Sequence, residues 1–200
     1  MEVIFATTNL NKVREIKEML EGKDISVLSM KDINLDMEIE ETGKSFAENA
    51  KIKAEAVSKA TGKLAIADDS GLVVDAMDGA PGIYSSRFMG EDTDYKIKCR
   101  AIMDNLKDTK EEERSARFVC AMAIAEPSKE TKIFEGIFEG RIAHEYKGEN
   151  GFGYDPIFFV PELGKTSAEI SPDEKNEISH RGKALRKVVK ELEARNENKN

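Results

Sequence analysis

Apolar and polar residues follow two recurring patterns along the chain, one typical of strands and one typical of helices. Residues 2–7 are rich in β-branched and aromatic side chains, which predicts a strand. Residues 9–21 carry three apolar side chains at helical spacing behind Asn9, which predicts a helix capped by that asparagine. Further strands are predicted at 25–30, 64–69, 116–126, 131–146 and 156–160.

The other helices are marked by the residues with which they begin. Ser45 and Glu48 have the spacing of a capping box, which predicts a helix from that point. Ser171 is followed by Pro172 and two acidic residues, a pattern that favours a first helical turn. A charged helix is expected over about 92–106, and an amphipathic helix is expected near the C-terminus.

Helices and strands alternate, and a longer pair of strands lies in the middle of the chain. This order predicts an α/β fold with a mixed sheet. The 200 residues contain no internal repeat and no linker long enough to divide domains. We therefore expect one domain over residues 1–195 and a solvated tail over residues 196–200.

Charge and cysteine content narrow the expected partners and compartment. The net charge of −8 argues against nucleic-acid polymers and anionic membranes, because both attract positive surfaces. No apolar run approaches the roughly 20 residues that span a membrane, and the first apolar run is too short for a signal peptide. Cys99 and Cys120 lack the spacing of a zinc or redox site, so we expect a reducing, cytoplasmic compartment.

Two adjacent acidic residues, Asp68 and Asp69, end the strand predicted at 64–69. Like charges in that place need compensation by a metal, a basic partner or water. Successive side chains of a strand face opposite ways, so only one of the two carboxylates can serve a given site while the strand is regular. A surface turn is the competing explanation.

Two polar segments have the residue types of an anion site. In FATTNLNK, residues 5–12, a helix start and Lys12 could hold phosphate, although a simple Asn-capped turn is the commoner structure. In EIEETGKSFAENAKIKA, Asn49 and Lys53 share a helical face behind an acidic stretch, so Lys53 could reach a phosphate. A lysine that only covers the apolar face is the alternative there.

Two later segments have the residue types of a base-binding site. The loop GENGFGYDP places Phe152 and Tyr154 among glycines, which suits stacking on a purine ring, or else inward packing of both rings. Further on, Lys175, His180 and Arg181 surround a helix start, and Arg181 offers forked donors for a base carbonyl. A solvated basic helix face is the alternative.

Together these segments describe a nucleoside triphosphate site, and in order and spacing they resemble the inosine/xanthosine triphosphate pyrophosphatase family. The resemblance runs from about residue 3 to residue 190. It differs from many relatives at Thr8 and Asn11, where those relatives have glycine. The segments that carry it are TTNLNK, EETGKSFAENAKIKA, ADDSGLVVDAMDGAPGIYSSRF, GFGYDPIFF and SHRGKAL.

The resemblance implies magnesium-dependent hydrolysis of ITP, dITP and XTP to the monophosphate and pyrophosphate. It also implies a homodimer and an elongated mixed β-sheet flanked by helices, in two lobes with a nucleotide cleft between them. Glu41 and Asp69 would hold Mg²⁺, and Asp69 would be the general base. The residues that would bind substrate are Thr7, Thr8, Asn9, Leu10, Asn11, Lys12 and Lys53 at the phosphates, Ser70, and Phe152, Gly153, Tyr154, Asp155, Lys175, His180 and Arg181 at the base.

Three other functions fit parts of the pattern. A nucleotide pyrophosphatase of the septum-inhibition-linked family would have a related architecture and another base preference, and the segments GFGYDP and SHR argue against it. A nucleotide sensor without turnover would tolerate the loss of Asp69. A metal-dependent nuclease would need a basic path for its polymer, which the net charge of −8 does not favour.

Overall fold

The computed structural model describes residues 1–197, which form an α/β structure with one mixed sheet of seven strands. The strands are β1 Glu2–Phe5, β2 Ser26–Ser29, β3 Ala65–Val74, β4 Ser115–Ala125, β5 Lys132–Ile142, β6 Phe158–Val160 and β7 Lys165–Thr166. The α-helices are α1 Leu10–Met19, α2 Phe46–Thr61, α3 Tyr95–Asn105, α4 Pro172–Ile178 and α5 His180–Glu197. No helix within residues 1–197 is long and apolar enough to cross a membrane.

The sheet has the strand order β2-β1-β3-β4-β5-β6-β7. Strand β1 is parallel to both β2 and β3, whereas β6 is antiparallel to both β5 and β7. The mixed α/β sheet predicted from the sequence is therefore confirmed. Parallel strands need crossover connections, and helices α1 and α2 provide them.

The described chain divides into two compact units. Unit 1 comprises 1–69, 120–136 and the C-terminal part from Arg181, and unit 2 comprises 70–119 and 137–180. Each unit has a core of its own. In unit 2 the core joins α3 to residues of β3, β4, β5 and β6, among them Leu72, Phe118 and Phe158.

In unit 1 the strand residues alternate between two cores, as a sheet with helices on both faces requires. Ile66 packs with the apolar faces of α1 and α5. Its neighbours Ala65 and Ala67 pack with the small residues of α2. The same alternation continues into Asp68 and Asp69 and decides which helix each carboxylate meets.

Several boundaries differ from the sequence prediction. Strand β3 continues beyond Asp69 to Val74, and the two-residue strand β7 has no apolar pattern that would reveal it. Both depend on hydrogen bonds to neighbouring strands, which a local pattern does not contain. Of the tail expected over 196–200, Asn196 and Glu197 belong to α5, and 198–200 lie outside the described residues.

Candidate active site

The turn from β1 into α1 has the cap that the sequence predicts. The Asn9 side chain accepts from the N–H groups of Asn11 and Lys12, at 3.0 and 3.3 Å, and the Thr7 hydroxyl accepts from the Asn9 N–H at 3.2 Å. Residues 8–11 are exposed. The segment expected to bind phosphate, Thr7 to Lys12, is thus an accessible turn and helix start. Its backbone is held by the side chains of Thr7 and Asn9.

Asp68 is fully buried and lies between two basic side chains from different helices. Lys12 Nζ is 3.0 Å from its Oδ1, and Arg181 contacts its Oδ2 through both Nε and Nη2, at 3.3 and 3.1 Å. Glu15, one turn after Lys12 on α1, also binds Arg181. Asp68 therefore supports two residues expected to touch substrate, Lys12 and Arg181.

Asp69 faces the other side of the sheet and meets α2. Asn49 Nδ2 donates to its Oδ2 at 3.2 Å, and Lys53 Nζ donates to its Oδ1 at 3.3 Å. Lys53 Nζ also lies 2.7 Å from Glu41 Oε1. The expectation that the two aspartates have different partners is confirmed, because strand alternation directs one carboxylate to α1 and α5 and the other to α2.

Burial and charge act in opposite directions on the two aspartates. Burial by itself would raise the pKa of Asp68, but the attraction of Lys12 and Arg181 outweighs it and holds that pKa well below its usual value. Burial raises the pKa of Asp69 above its usual value, against the attraction of Lys53. Burial opposes the charge of Lys53, yet Asp69, Asp68 and Glu41 raise its pKa. Asp69 is thus the better proton acceptor of the adjacent pair.

The residues around Asp69 fit a divalent cation. The carboxylates of Glu41 and Asp69 already converge on one cation, the ammonium of Lys53. Among the described residues no three Asp, Glu, His or Cys side chains converge as a closed metal cage. Mg²⁺ needs no such cage, because it takes one or two carboxylates and completes its shell with water and phosphate oxygens.

In unit 2 the expected base loop is built around a buried ion pair. Lys175 Nζ lies 2.6 Å from Asp155 Oδ2, which also accepts from the Phe152 N–H at 2.8 Å. The same ammonium lies 5.5 Å from the centre of the half-buried Phe152 ring. A Cβ at Gly151 would overlap Asp155 Oδ2, so any other residue there would displace the ion pair.

Tyr154 and His180 are buried rather than open. The Tyr154 hydroxyl donates to the Ser85 carbonyl oxygen at 2.7 Å, and its ring meets Tyr95 edge to face at 5.2 Å. The His180 ring stacks on Phe118 with centroids 4.9 Å apart. These contacts fix the backbone around the loop, and with it Gly153, whose carbonyl oxygen lies 3.6 Å from the Cys99 sulfur.

The structure brings the expected site residues together in groups. Lys12 and Arg181 meet at Asp68, and Glu41, Lys53 and Asp69 meet in the same unit. Phe152, Asp155 and Lys175 form the group in unit 2, where Ser70 and His180 also lie. Their roles toward a substrate stay predictions.

Two residues of these groups were not among the predicted site residues. Glu15 lies three positions after Lys12, on the same side of α1, and this spacing is the sequence signal that could have indicated it. Asn49 lies four positions before Lys53 on α2, so the shared helical face is visible in the sequence. Its contact with Asp69 is not visible there, because it depends on the packing of α2 against β3.

Residues 3–191 match the model of the Ham1 family. The chain is 52% identical over 193 residues to a dITP/XTP pyrophosphatase of Bacillus subtilis (strain 168), covering 96% of this chain and 98% of that protein. The Staphylococcus aureus Ham1 protein has a similar structure, with a TM-score of 0.87 and 42% identity over 98% of this chain and 100% of that one. A HAM1 protein from Coxiella burnetii gives a TM-score of 0.88 and 41% identity, covering 97% and 99%.

Proposed function

The chain belongs to the Ham1 family, and on this basis we propose that it hydrolyses ITP, dITP and XTP to the monophosphate and pyrophosphate. The observation that carries the proposal is the convergence of Glu41 and Asp69 on a single ammonium, beside a second cluster that presents Lys12. Hydrolysis of a triphosphate requires carboxylates that hold a metal cation and basic side chains that bind the phosphates, and these two clusters contain both.

We propose that the phosphate chain binds at the exposed start of α1, with Lys12 and Lys53 as its cationic contacts. Glu41 and Asp69 would hold Mg²⁺, and the bound cation would supply the Lewis acidity that polarises phosphate oxygens and acidifies water. Asp69 accepts a proton from the attacking water as the anhydride bond between the α and β phosphates breaks and pyrophosphate leaves. The raised pKa of Asp69 suits this role, because a stronger base takes the proton more readily.

The base preference follows from which donors and acceptors remain unpaired. Hypoxanthine and xanthine present a carbonyl at position six, and Arg181 is a residue that can donate to it. Adenine presents an amino group there, which leaves buried donors unsatisfied and is therefore rejected. We propose that the Phe152 ring stacks on the base and that the Asp155–Lys175 pair fixes the loop carrying it.

Several further expectations belong to the same proposal. We propose Mg²⁺ as the cation, because Mg²⁺ prefers carboxylate oxygens and the carboxylates of Glu41 and Asp69 both face the Lys53 ammonium. We also propose a homodimer in the cytoplasm, with a nucleotide as partner rather than a nucleic-acid polymer or a membrane. The net charge of −8 disfavours a nucleic-acid polymer or an anionic membrane, and the cysteine spacing supports a reducing compartment. The homodimer rests on the family resemblance alone.

The test is an assay of products. The protein is incubated with Mg²⁺ and, in parallel, ITP, XTP, dATP, GTP or dTTP, and the products are separated by ion-exchange chromatography. We expect IMP and pyrophosphate from ITP, the corresponding products from XTP, and little turnover of dATP and dTTP. GTP has the same six-position carbonyl, so its turnover measures whether the site also excludes the two-position amino group. Release of IDP and orthophosphate, or no turnover of ITP, contradicts the proposal.

Asp69→Asn tests the proposed proton acceptor in the same assay. It keeps the size of the side chain and removes its ability to accept the proton. Turnover should fall by at least about 10²-fold, the usual scale for a lost general base, while the thermal unfolding curve stays cooperative. A variant with undiminished turnover would show that another group accepts the proton.

A further inference from the structure

A single buried amide connects the two segments that carry the acids of the candidate site. Asn49 is completely buried in the first turns of α2. Its Oδ1 accepts from the Gly43 N–H at 2.8 Å, and its Nδ2 donates to Asp69 Oδ2 at 3.2 Å. The Asn49 side chain therefore binds both Gly43, two residues after Glu41 in the same loop, and the carboxylate of Asp69 on β3.

The orientation of this amide is fixed by chemistry. The Gly43 N–H can only donate, so it must face the oxygen of the amide, and the nitrogen then faces the carboxylate, which can only accept. Gly43 itself has no room for a side chain, because a Cβ there would lie 2.6 Å from Asn49 Oδ1 and 2.7 Å from Glu48 Cβ. The contact between loop and amide thus depends on glycine at position 43.

The carboxylate of Asp69 is held at both oxygens by α2. Asn49 binds Oδ2 and Lys53, one turn later, binds Oδ1. The two partners differ in kind: Lys53 is charged and also binds Glu41, whereas Asn49 is neutral and anchored to backbone. The bond from the Gly43 N–H to Asn49 involves no charged group, so it does not depend on the charges around Asp69, which change when substrate and cation bind.

We propose that Asn49 is a positioning residue that fixes the rotamer of Asp69 and the place of the loop carrying Glu41. It does so by linking the Gly43 N–H to Asp69 Oδ2. Its loss would remove the bond at Asp69 Oδ2 and the anchor of the loop at Gly43, which lowers the affinity of the two carboxylates for a divalent cation and slows turnover. This inference deepens the proposed function and rests on it for the reaction, but its effect on metal affinity does not.

The experiment compares Asn49→Ala with Ser58→Ala. Ser58 is a buried polar residue of the same helix that donates to the Lys63 carbonyl oxygen at 2.9 Å, at the far end from Asp69. Two quantities are compared between the proteins: the Mn²⁺ affinity of the protein alone, from the electron paramagnetic resonance signal of free Mn²⁺, and kcat for ITP, with KM determined in the same assay. Outer-shell residues of metal sites typically contribute 10- to 100-fold to affinity or activity.

We expect Asn49→Ala to lower Mn²⁺ affinity and kcat by about 10- to 100-fold, with KM for ITP little changed. Ser58→Ala should lower the melting temperature and leave both quantities unaltered. Equal loss of melting temperature in the two variants, with Mn²⁺ affinity and kcat unchanged in both, would overturn the proposal and make Asn49 structural.

Asn49→Leu serves if Asn49→Ala does not fold. Leucine has the branched shape of asparagine and leaves no cavity, but it can bind neither the Gly43 N–H nor Asp69 Oδ2. Mn²⁺ affinity and kcat should still fall by about 10- to 100-fold, and retained affinity and kcat in this variant contradict the proposal. If the wild-type protein releases no pyrophosphate from ITP, the proposed function fails, whereas the Mn²⁺ comparison still decides the role of Asn49.

Discussion

Asp68 and Asp69 are neighbours in the chain, and the charge around each sets a different role. Asp68 and Glu15 together face Lys12 and Arg181, so two negative charges meet two positive ones. Around Asp69 two carboxylates, its own and that of Glu41, contact the ammonium of Lys53. This convergence supports the proposed cation site beside Asp69, whereas the paired charges around Asp68 are suited to holding side chains in place.

This difference predicts a large structural effect at Asp68. Asp68→Asn leaves Lys12 and Arg181 facing a neutral side chain in a buried place, which typically lowers the free energy of unfolding by about 3–5 kcal/mol. The measurement is urea unfolding followed by circular dichroism. We also expect a higher KM for ITP, because Lys12 loses the partner that fixes it.

Asp75→Asn is the matched control for Asp68. Asp75 is also paired with an arginine, Arg117 at 3.0 Å, but both side chains are partly exposed. Exposed pairs contribute about 0–1 kcal/mol, so this variant should unfold almost as the wild type does. Equal shifts in the two variants would show that burial of Asp68 does not give its ion pairs their strength.

Single elements were predictable where their signals are local. Asn9, Ser45 and Ser171 are N-caps in the structure as in the prediction, because a cap binds N–H groups only two or three residues away. At α2 the detail differs: Ser45 accepts from Glu48 N–H, whereas the Glu48 carboxylate accepts from the Lys44 N–H at 2.6 Å, one residue before the cap.

Contacts between elements were not predictable in the same way. Arg114 is charged and completely buried, and it donates to the carbonyl oxygens of Leu106, Ile142 and Ala143. No local sequence pattern connects Arg114 with these three residues. Lys98, also fully buried, donates to the Ser86 carbonyl oxygen at 2.6 Å. Hydrophobic periodicity assigns such residues to the surface, since only the folded backbone supplies their acceptors.

The turn after β2 offers a test of pH dependence at the scale of an element. Asp32 Oδ2 accepts from the Ser29 N–H at 2.8 Å and from Lys17 Nζ at 3.0 Å, which ties α1 to this turn. The bond from Ser29, followed by that from Lys17, lowers the pKa of Asp32 to about 2. A lowered pKa stabilises the fold above the unfolded value of about 3.9, and this contribution is lost as the pH falls through 2.

Asp32→Asn should therefore lower the urea midpoint slightly at neutral pH, and the difference from wild type should shrink below about pH 4. The effect is small because the carboxylate is exposed to solvent screening. Asp36→Asn, an exposed aspartate of the same loop, is the control and should shift nothing. A difference that grows on acidification would mean that the ionised carboxylate does not stabilise the turn.

At the scale of the whole chain, three strands contribute to both units. The boundaries between the units fall after Asp69 in β3, after Val119 in β4 and after Gly136 in β5. If one unit unfolded alone, its part of β3, β4 and β5 would unfold while the rest of each strand stayed folded. Backbone groups at those points would lose their hydrogen-bond partners, which costs free energy. We therefore retain the prediction of a single domain over residues 1–195 and expect the two units to unfold together.

The two cysteines report on this prediction, because each lies in the core of one unit. Cys120 belongs to the core of unit 1 and Cys99 to that of unit 2, and both side chains are inaccessible. Burial raises the pKa of Cys99 to about 12 and also raises the pKa of Cys120 above its usual value, so neither is a thiolate at about pH 8 in the native state. Pulsed alkylation with iodoacetamide across a urea series, read cysteine by cysteine by peptide mass spectrometry, should give coincident midpoints for the two. Labelling of one cysteine at a clearly lower urea concentration would show that its unit opens alone, and the chain would then consist of two domains.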